Sequence, residues 1–440
     1  MGNFNLTWTK YSPLENESSL QDPLAFDYFA QILGNVVLPS FTTRTSRARY
    51  YSMVCYGLHI SKKYLSLQGR PFFDKDILEI FKLYEKYWAR AVVESYDGKL
   101  FERDGKELDF RGKRGALKAR SDRMTTLGND FKFLTRQLEL GGLGAYRTSM
   151  EDLDLIDYSL NLTHKGEKLA ELFVDHHIYD KLVFKAIDEQ KVIQKEGMGS
   201  LKSFGYHTRL DGFEFNENYH IDEREQIRLY ILDNPKNYIA IKNIYKCYDY
   251  ENNNAMKTIE NIVKIDSSSE EEKKVIEGFN TILSFETIAV ILNRLLCAII
   301  KSAEESYGTI SVAECASSCK EHLDYIFGNK VLNQLVTKVN YNTILESLHG
   351  QSFYNVVSKY IKQENINYEK FLIDLIRYHN NIMEKRRSGA WVVLDGMNIV
   401  VLSGYDYPKK TDGLLYLHSY KIPNIIRLIK DTGWKPNDEI

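Results

Sequence analysis

Apolar side chains recur every three to four residues through most of this 440-residue sequence, which is the period of an amphipathic helix. In the first hundred residues the pattern predicts three helices, over 22–39, 45–69 and 74–95. Hydroxyl side chains before the second helix are the expected N-caps, because they accept hydrogen bonds from the N–H groups of a first turn. These candidate caps are Thr42, Thr43 and Thr45. The opening of the chain is therefore expected to be a helical lobe.

The helical period returns further along the chain, with a break where glycine and charge accumulate. Residues 97–115 carry four glycines and charges of both signs, which predicts a loop, and helix is expected to resume over 116–140. A run of serines followed by glutamates then predicts a long helix that has Ser268 or Ser269 as its N-cap and ends near Ser302.

The most apolar stretch of the chain, Ile282–Ile300, lies inside this long helix. It carries Glu286, Asn293 and Arg294 near its middle, and charges at bilayer depth are costly. The stretch is therefore predicted to be a buried core helix rather than a membrane span. Further helices are expected over 309–382.

The last sixty residues change character. Two short β-branched runs, Trp391–Leu394 and Asn398–Leu402, are separated by Asp-Gly-Met, which predicts a β hairpin. A final helix is predicted between Pro423 and Gly433, since proline suits a first turn and glycine a C-terminal cap.

The most specific local pattern predicts a short strand over Tyr158–Leu162 followed by a helix that Thr163 caps, with Gly166 in its first turn. This L-T-x-x-G-x-x-L phrase resembles the wing segment of winged-helix domains, and the resemblance covers 120–173. Such domains read DNA or hold other proteins.

The helix before the predicted wing favours the second use. DNA-reading members place that helix in the major groove. Here the segment Tyr146–Asp157 offers Arg147 beside four carboxylates, which would repel phosphate. The acids are Glu151, Asp152, Asp154 and Asp157. A protein-interaction element is therefore preferred over DNA readout.

Together these elements predict a mainly α protein in five parts. The parts are a helical N-terminal lobe (1–100), a basic loop and winged-helix-like domain (101–180), a mixed unassigned region (181–265), a long-helix domain (266–385) and a small C-terminal β hairpin with a helix (386–440).

Charge is distributed unevenly along the chain. The formal net charge is only −2, yet between Ser40 and Met150 there are 22 Lys and Arg against 13 Asp and Glu, a surplus of 9. The opening third is therefore basic and the remainder acidic, and a basic lobe suits a polyanion such as nucleic acid.

Two segments supply the candidate phosphate contacts. Residues 111–123 join flexible glycines to a basic helix start, where backbone N–H groups and side chains can reach phosphate together. In SFTTRTSRARYY, residues 40–51, Arg44 and Arg47 are expected one helical turn apart. The alternatives are a solvated helix face for the first segment and pairing with acids of a neighbouring helix for the second. The predicted contacts are Arg44, Arg47, Arg111, Lys113, Arg114, Lys118 and Arg120.

The phrase T-x-x-R-A-R-Y-Y after L-P also resembles a run near the start of an uncharacterised protein family encoded in bacterial anti-phage defence islands. The resemblance covers 26–58 and carries no established activity. It implies a cytoplasmic bacterial protein that acts as one subunit of a multi-component system.

Signals for metal binding are weak. Cys315, Cys319 and His322 have metal-binding side chains, but they lie on a predicted helix without a second pair at zinc spacing. The pair His176–His177 is interpreted as a surface helix end. No metal site is therefore predicted.

Signals for catalysis are equally weak. The sequence has no P-loop, no G-x-G-x-x-G and no H-E-x-x-H. Asp395 with Glu384 and Lys385 upstream is the nearest approach to the acids and lysine of a nuclease, and their order is wrong.

The sequence therefore predicts a non-catalytic, DNA-contacting adaptor subunit of a multi-component prokaryotic anti-phage defence complex. Its expected partners are an ATPase or nuclease subunit and double-stranded DNA, with no cofactor, membrane or small-molecule substrate. Five cysteines without framework spacing and a start without an apolar signal region suit the cytoplasm. Two alternatives stay open: a metal-dependent nuclease whose acids meet only in the fold, and a purely structural protein–protein interaction module.

Overall fold

The structure is a computed structural model, and the residues it describes are 22–101, 105, 107–108, 110–193, 197, 199–211, 218–329, 347, 349–361, 363, 366–402 and 418–436. These residues are mainly helical and include a small three-stranded antiparallel sheet, which confirms the predicted fold class.

The helices in the first half of the chain are α1 (Phe26–Val37), α2 (Arg49–Leu67), α3 (Asp74–Ser95), α4 (Lys113–Ser121), α5 (Gln137–Leu140), α6 (Gly142–Asp152), α7 (His164–Phe173), α8 (His176–Glu189), α9 (Leu201–His207) and α10 (Asn218–Ile227). One π-helical turn, Arg228–Leu232, continues α10. The later helices are α11 (Tyr238–Cys247), α12 (Ala255–Ile262), α13 (Glu270–Glu305), α14 (Val312–Ser318), α15 (Lys320–Gly328), α16 (Gly350–Ile361), α17 (Tyr368–Lys385) and α18 (Ile422–Thr432). The strands are β1 (Thr309–Ser311), β2 (Val392–Asp395) and β3 (Asn398–Val401).

The chain divides into two compact units. We call Leu38–Asn253 with Lys421–Ile440 the central unit, and Met1–Val37 with Asn254–Tyr420 the long-helix unit. Each unit combines segments that are far apart in the sequence. The five-part division made from the sequence stays a prediction.

The helices α2 and α3 form the middle of the central unit. They pack against each other, α7 packs on α2, and α9 packs on α3. Gly205 in α9 makes the last contact possible, because a Cβ there would lie 1.8 Å from the carbonyl oxygen of Ala91. The large side chains of Tyr56, Tyr84 and Trp88 are fully buried between these helices.

The start of α2 differs from the prediction. The helix begins at Arg49, and none of the three threonines caps it. Instead, the hydroxyl of Thr45 accepts from the N–H of Thr42 at 3.0 Å and donates to its carbonyl, while the hydroxyl of Thr42 accepts from the N–H of Arg44 at 3.1 Å. These bonds close a turn before the helix, so Arg44 and Arg47 do not lie on successive helical turns.

The prediction of one continuous helix over 116–140 is also wrong. The helix α4 stops at Ser121, Arg123 has a positive φ of 52°, and regular helix returns only at Gln137. The ammonium of Lys86 donates to the carbonyls of Leu127 and Gly128, at 3.0 and 2.8 Å. Tertiary partners thus take the backbone acceptors that a helix would have used.

The predicted wing is reduced to one antiparallel bridge between Ile156 and Leu162 rather than a strand. Asp157 closes the turn between them, since its carboxylate accepts from the N–H groups of Ser159 and Asn161 at 2.8 Å each. Thr163 caps α7 as predicted by accepting from the N–H of Gly166.

Steric crowding explains why glycine stands at position 166 in the wing phrase. A Cβ at position 166 would lie 2.1 Å from the carbonyl oxygen of Leu155, so only glycine fits there without a backbone shift.

The long-helix unit is organised by α13, which Ser269 caps as predicted. The helices α1, α12 and α15 pack on it. Among the described residues, α13 is the one helix long and apolar enough to cross a membrane, but 61% of its apolar window is buried inside the fold. This is the placement of a buried core helix, as the charges within it predicted.

The sheet of the long-helix unit has the order β1-β3-β2 and is antiparallel throughout. The predicted hairpin is confirmed, with Val392 opposite Val401 and Asp395 opposite Asn398. The strand β1, which the sequence assigned to helix, pairs Ile310 with Ile399. Three residues are too few to show a period, and their partner is almost ninety positions away, so local pattern cannot reveal this strand.

Candidate nucleic-acid interface

The second arginine of the RARYY phrase is a buried anchor in the central unit. Arg49 and Glu223 are both 0% exposed at the side chain, and Nη2 of Arg49 lies 2.9 Å from Oε2 of Glu223. The guanidinium also donates to the carbonyls of Phe173 at 3.2 Å, His207 at 3.0 Å and Arg209 at 2.5 Å. One side chain thus joins α2 to the ends of α7 and α9 and to α10.

Arg47 is buried as well. It is 5% exposed, and its Nε lies 2.9 Å from Oδ2 of Asp431 in α18. The same carboxylate oxygen accepts from the N–H of Ala48 at 3.1 Å. Burial raises the pKa of Asp431, and the charge of Arg47 opposes that rise. A phosphate contact by Arg47 would require this ion pair to open, so the predicted role of Arg47 is not carried into the proposal below.

The two tyrosines of the phrase also form hydrogen bonds inside the central unit. The hydroxyl of Tyr50 accepts from the N–H of Arg111 at 2.7 Å, and that of Tyr51 lies 2.7 Å from Oγ of Ser149. The RARYY phrase therefore lies inside the central unit, and its conspicuous composition reflects buried hydrogen bonding.

Two more of the predicted contact residues are neutralised by carboxylates. Lys113 pairs with Glu107 at 2.7 Å, and this contact lowers the pKa of Glu107. Arg120 pairs with Glu94 at 3.2 Å. Burial raises the pKa of Glu94, but Arg90 and Arg120 together bring it below its ordinary value.

Arg44 and Arg111 lie side by side at the surface of the central unit. Arg44 is exposed and Arg111 half-buried. Nη2 of Arg111 donates to the carbonyl of Arg44, and its Nη1 to that of Leu140, both at 3.1 Å. Carbonyl partners do not neutralise the positive charge of Arg111, and neither arginine forms an ion pair within the described residues, so both keep an attraction for an anion. The charge of Arg111 also opposes the rise that burial causes in the pKa of Glu85.

Arg114 and Lys118 are exposed and one turn apart on α4. In the part of the chain that the structure describes, no carboxylate lies within 4.0 Å of either cation. These two side chains are thus the predicted contact residues most available to an external polyanion.

Arg114 opens onto a surface groove of about 1160 Å³ in the central unit. The lining comes from α3, α4, α5 and the loop over 127–136. Five cations and two carboxylates line it: Lys82, Lys86, Arg114, Lys132 and Arg136, against Glu79 and Glu139. The groove therefore has a positive lining, which concentrates anions.

The groove cations have different partners. Lys82 pairs with Glu79 at 2.7 Å, and Arg136 with Glu139 at 3.1 Å. Lys132 is exposed and, within the described ranges, has no carboxylate at ion-pair distance. Lys132 thus resembles Arg114, which also forms no ion pair with a described carboxylate.

Sequence reasoning missed Lys132 and the other groove cations outside α4. Lys132 stands between two buried aromatic residues, Phe131 and Phe133, and an alternation of basic and aromatic residues is a signal that could have found it. Lys82 and Lys86 lie one turn apart on a helix that was predicted correctly, but their common face toward the groove depends on the packing of the loop.

No family model matches the sequence, and neither the curated proteins nor the solved structures contain a significant match to it.

Proposed function

We propose that the chain is a non-catalytic subunit of a multi-component prokaryotic defence complex, acting in the cytoplasm, that contacts the phosphates of double-stranded DNA through the central unit. The observation that supports the contact is a group of surface cations that form no ion pair with the carboxylates of the described residues. These cations are Arg44, Arg111, Arg114, Lys118 and Lys132.

The arrangement suits backbone contact rather than reading of bases. Long, flexible cationic side chains around an open groove neutralise phosphates and release counterions, and this contribution does not depend on sequence. The helix before the wing phrase does not add to it, because Nε of Arg147 is paired with Glu151 at 2.8 Å. We therefore expect binding to be weak, indifferent to base sequence and strongly reduced by salt.

The adaptor role rests on the resemblance carried by the RARYY segment. An ATPase or nuclease partner would supply the chemistry for which the sequence has no motif. A phage plaque assay tests this role in a host that carries the neighbouring genes. Loss of protection when the gene is deleted, and its return with the wild-type gene, is expected, whereas unchanged protection would overturn the adaptor role.

Charge reversal tests the DNA contact. We expect R114E/K132E to lower the affinity for a 30-base-pair duplex at least about tenfold in fluorescence anisotropy, since two phosphate contacts become repulsive. The matched control is K168E/K202E, which changes net charge equally on exposed positions of the same unit outside the groove. Equal loss in both variants, or in neither, would contradict a contact at the groove. In the second case, a protein–protein role for this face would replace the DNA contact.

A further inference from the structure

Two histidines and an aspartate converge in the central unit, away from the basic groove. His59 comes from α2, and His176 and Asp180 lie one turn apart on α8. One possible ligand atom from each residue lies within 4.8 Å of the other two. The rings of His59 and His176 meet edge to face, with centroids 5.1 Å apart.

The spacing within α8 already suits a metal ion. Nδ1 of His176 lies 3.3 Å from Oδ1 of Asp180. Two ligands at zinc distances on neighbouring corners of a tetrahedron are separated by about 3.3 Å. Residues at positions i and i+4 lie on the same side of a helix, so α8 presents both groups together.

The other atoms of these residues are held as in built metal sites. Nε2 of His176 lies 2.9 Å from the carbonyl oxygen of Ala170, which leaves Nδ1 as the nitrogen on the side of Asp180. A ligating histidine usually donates its second N–H in this way. The buried hydroxyl of Tyr56 donates to Oδ1 of Asp180 at 2.9 Å and orients the carboxylate.

His59 supplies an independent observation. Its Nε2 is buried and makes no hydrogen bond within the described part of the chain. A buried polar atom without a partner costs free energy, and a metal ion would satisfy it.

Lys63 is the competing cation at this cluster. Its ammonium lies 2.6 Å from Oδ2 of Asp180, and its side chain is 45% exposed, so it can swing into solvent. His176 is 22% exposed and offers an ion a route from the surface.

We infer that His59, His176 and Asp180 bind a divalent first-row transition-metal ion of the zinc type, which displaces Lys63 from Asp180. Two imidazoles and one carboxylate leave a fourth position open for water or an anion. Mg²⁺ and Ca²⁺ prefer oxygen ligands and are not expected to bind here. The inference does not depend on DNA binding.

The experiment is a titration of the full chain, freed of metal by a chelator, with Co²⁺, followed by visible absorption and by calorimetry, and then competition by Zn²⁺. One ion per chain with the absorption of a four-coordinate nitrogen and oxygen site is expected. H176A should weaken binding at least about tenfold. The matched control is H177A, because His177 is the adjacent exposed histidine and is expected to leave the affinity unchanged.

A second variant keeps the test valid where removal of a ligand harms folding. K63M should tighten binding about fivefold, since it removes the half-exposed ammonium that competes with the ion for Asp180. K62M is its control, because Lys62 bonds to Asn161 instead of to the cluster. Absence of Co²⁺ binding by the wild-type chain, an affinity lost in H177A, or equal affinities of K63M and the wild type would each overturn the site.

Discussion

Replacement of Arg49 by methionine tests the claim that the RARYY phrase stabilises the central unit from within. Methionine keeps a long apolar stem but removes the guanidinium. The carboxylate of Glu223, fully buried beside it, would then lose its ion-pair partner. Removing one member of a buried pair typically costs about 3–5 kcal/mol.

The carbonyl acceptors add to this loss. Phe173, His207 and Arg209 each lose a donor in or near the interior. An unsatisfied acceptor costs about 1–3 kcal/mol, although these costs are not additive within one network. We therefore expect the free energy of unfolding to fall by about 5 kcal/mol, against a total stability of about 5–15 kcal/mol for a typical domain.

The assay is urea unfolding followed by tryptophan fluorescence. Trp88 contributes to this signal from the central unit, because its indole is buried in α3 and donates to the carbonyl of Thr208 at 3.3 Å. The control is R44M, which removes an exposed arginine five residues before the start of α2 and should change stability by less than about 0.5 kcal/mol. In R49M/E223Q the loss should be smaller than the sum of the two single losses, because they break one pair. A loss below about 1 kcal/mol in R49M, or strict additivity of the two changes, would refute the assignment.

Two further predictions concern other parts of the fold. In the long-helix unit, burial lowers the pKa of His418, but hydrogen bonds to Asp27 and Glu286 outweigh it and raise that pKa to about 9. Because the folded pKa exceeds the ordinary 6.5, the stabilisation of about 3 kcal/mol is complete below pH 6.5 and is lost as pH rises through 9. H418Q should flatten this pH dependence of thermal unfolding, and an unchanged profile would count against the cluster. In the central unit, G205A should lower the melting temperature by several degrees, because the new Cβ would clash with the backbone at Ala91. A melting temperature equal to that of the wild type would show that α9 does not lie so close to α3.

Periodic apolar patterns were sufficient to predict the long helices. The helix α3 was expected over 74–95 and has those bounds, and Ser269 caps α13 as its serine and glutamate run indicated. The hairpin of β2 and β3 followed from two β-branched runs around a glycine. Each of these features is determined by residues that are close together in the sequence, so the local sequence pattern is enough to predict it.

Features decided by distant partners could not be predicted. Arg47 was expected to contact phosphate, and the alternative for the arginines of its segment was pairing with acids of a neighbouring helix. Arg47 pairs with Asp431, which lies 384 positions further along the chain, and Arg49 pairs with Glu223, which lies 174 positions further along. Composition alone cannot distinguish an arginine that meets phosphate from one that is buried against a carboxylate. The cluster of His59 with His176 was missed for the same reason, because its members are adjacent only in space.

The measurement that tests the DNA contact most directly is the dependence of duplex affinity on salt. Each phosphate contact contributes about 0.9 to the slope of log affinity against log salt concentration. The variant R114Q/K118Q/K132Q lacks three cations without adding negative charge, so its slope should be smaller than that of the wild type by about 2.7. Equal slopes for the variant and the wild type would contradict the account, because the exposed cations of the central unit would then not be meeting phosphate.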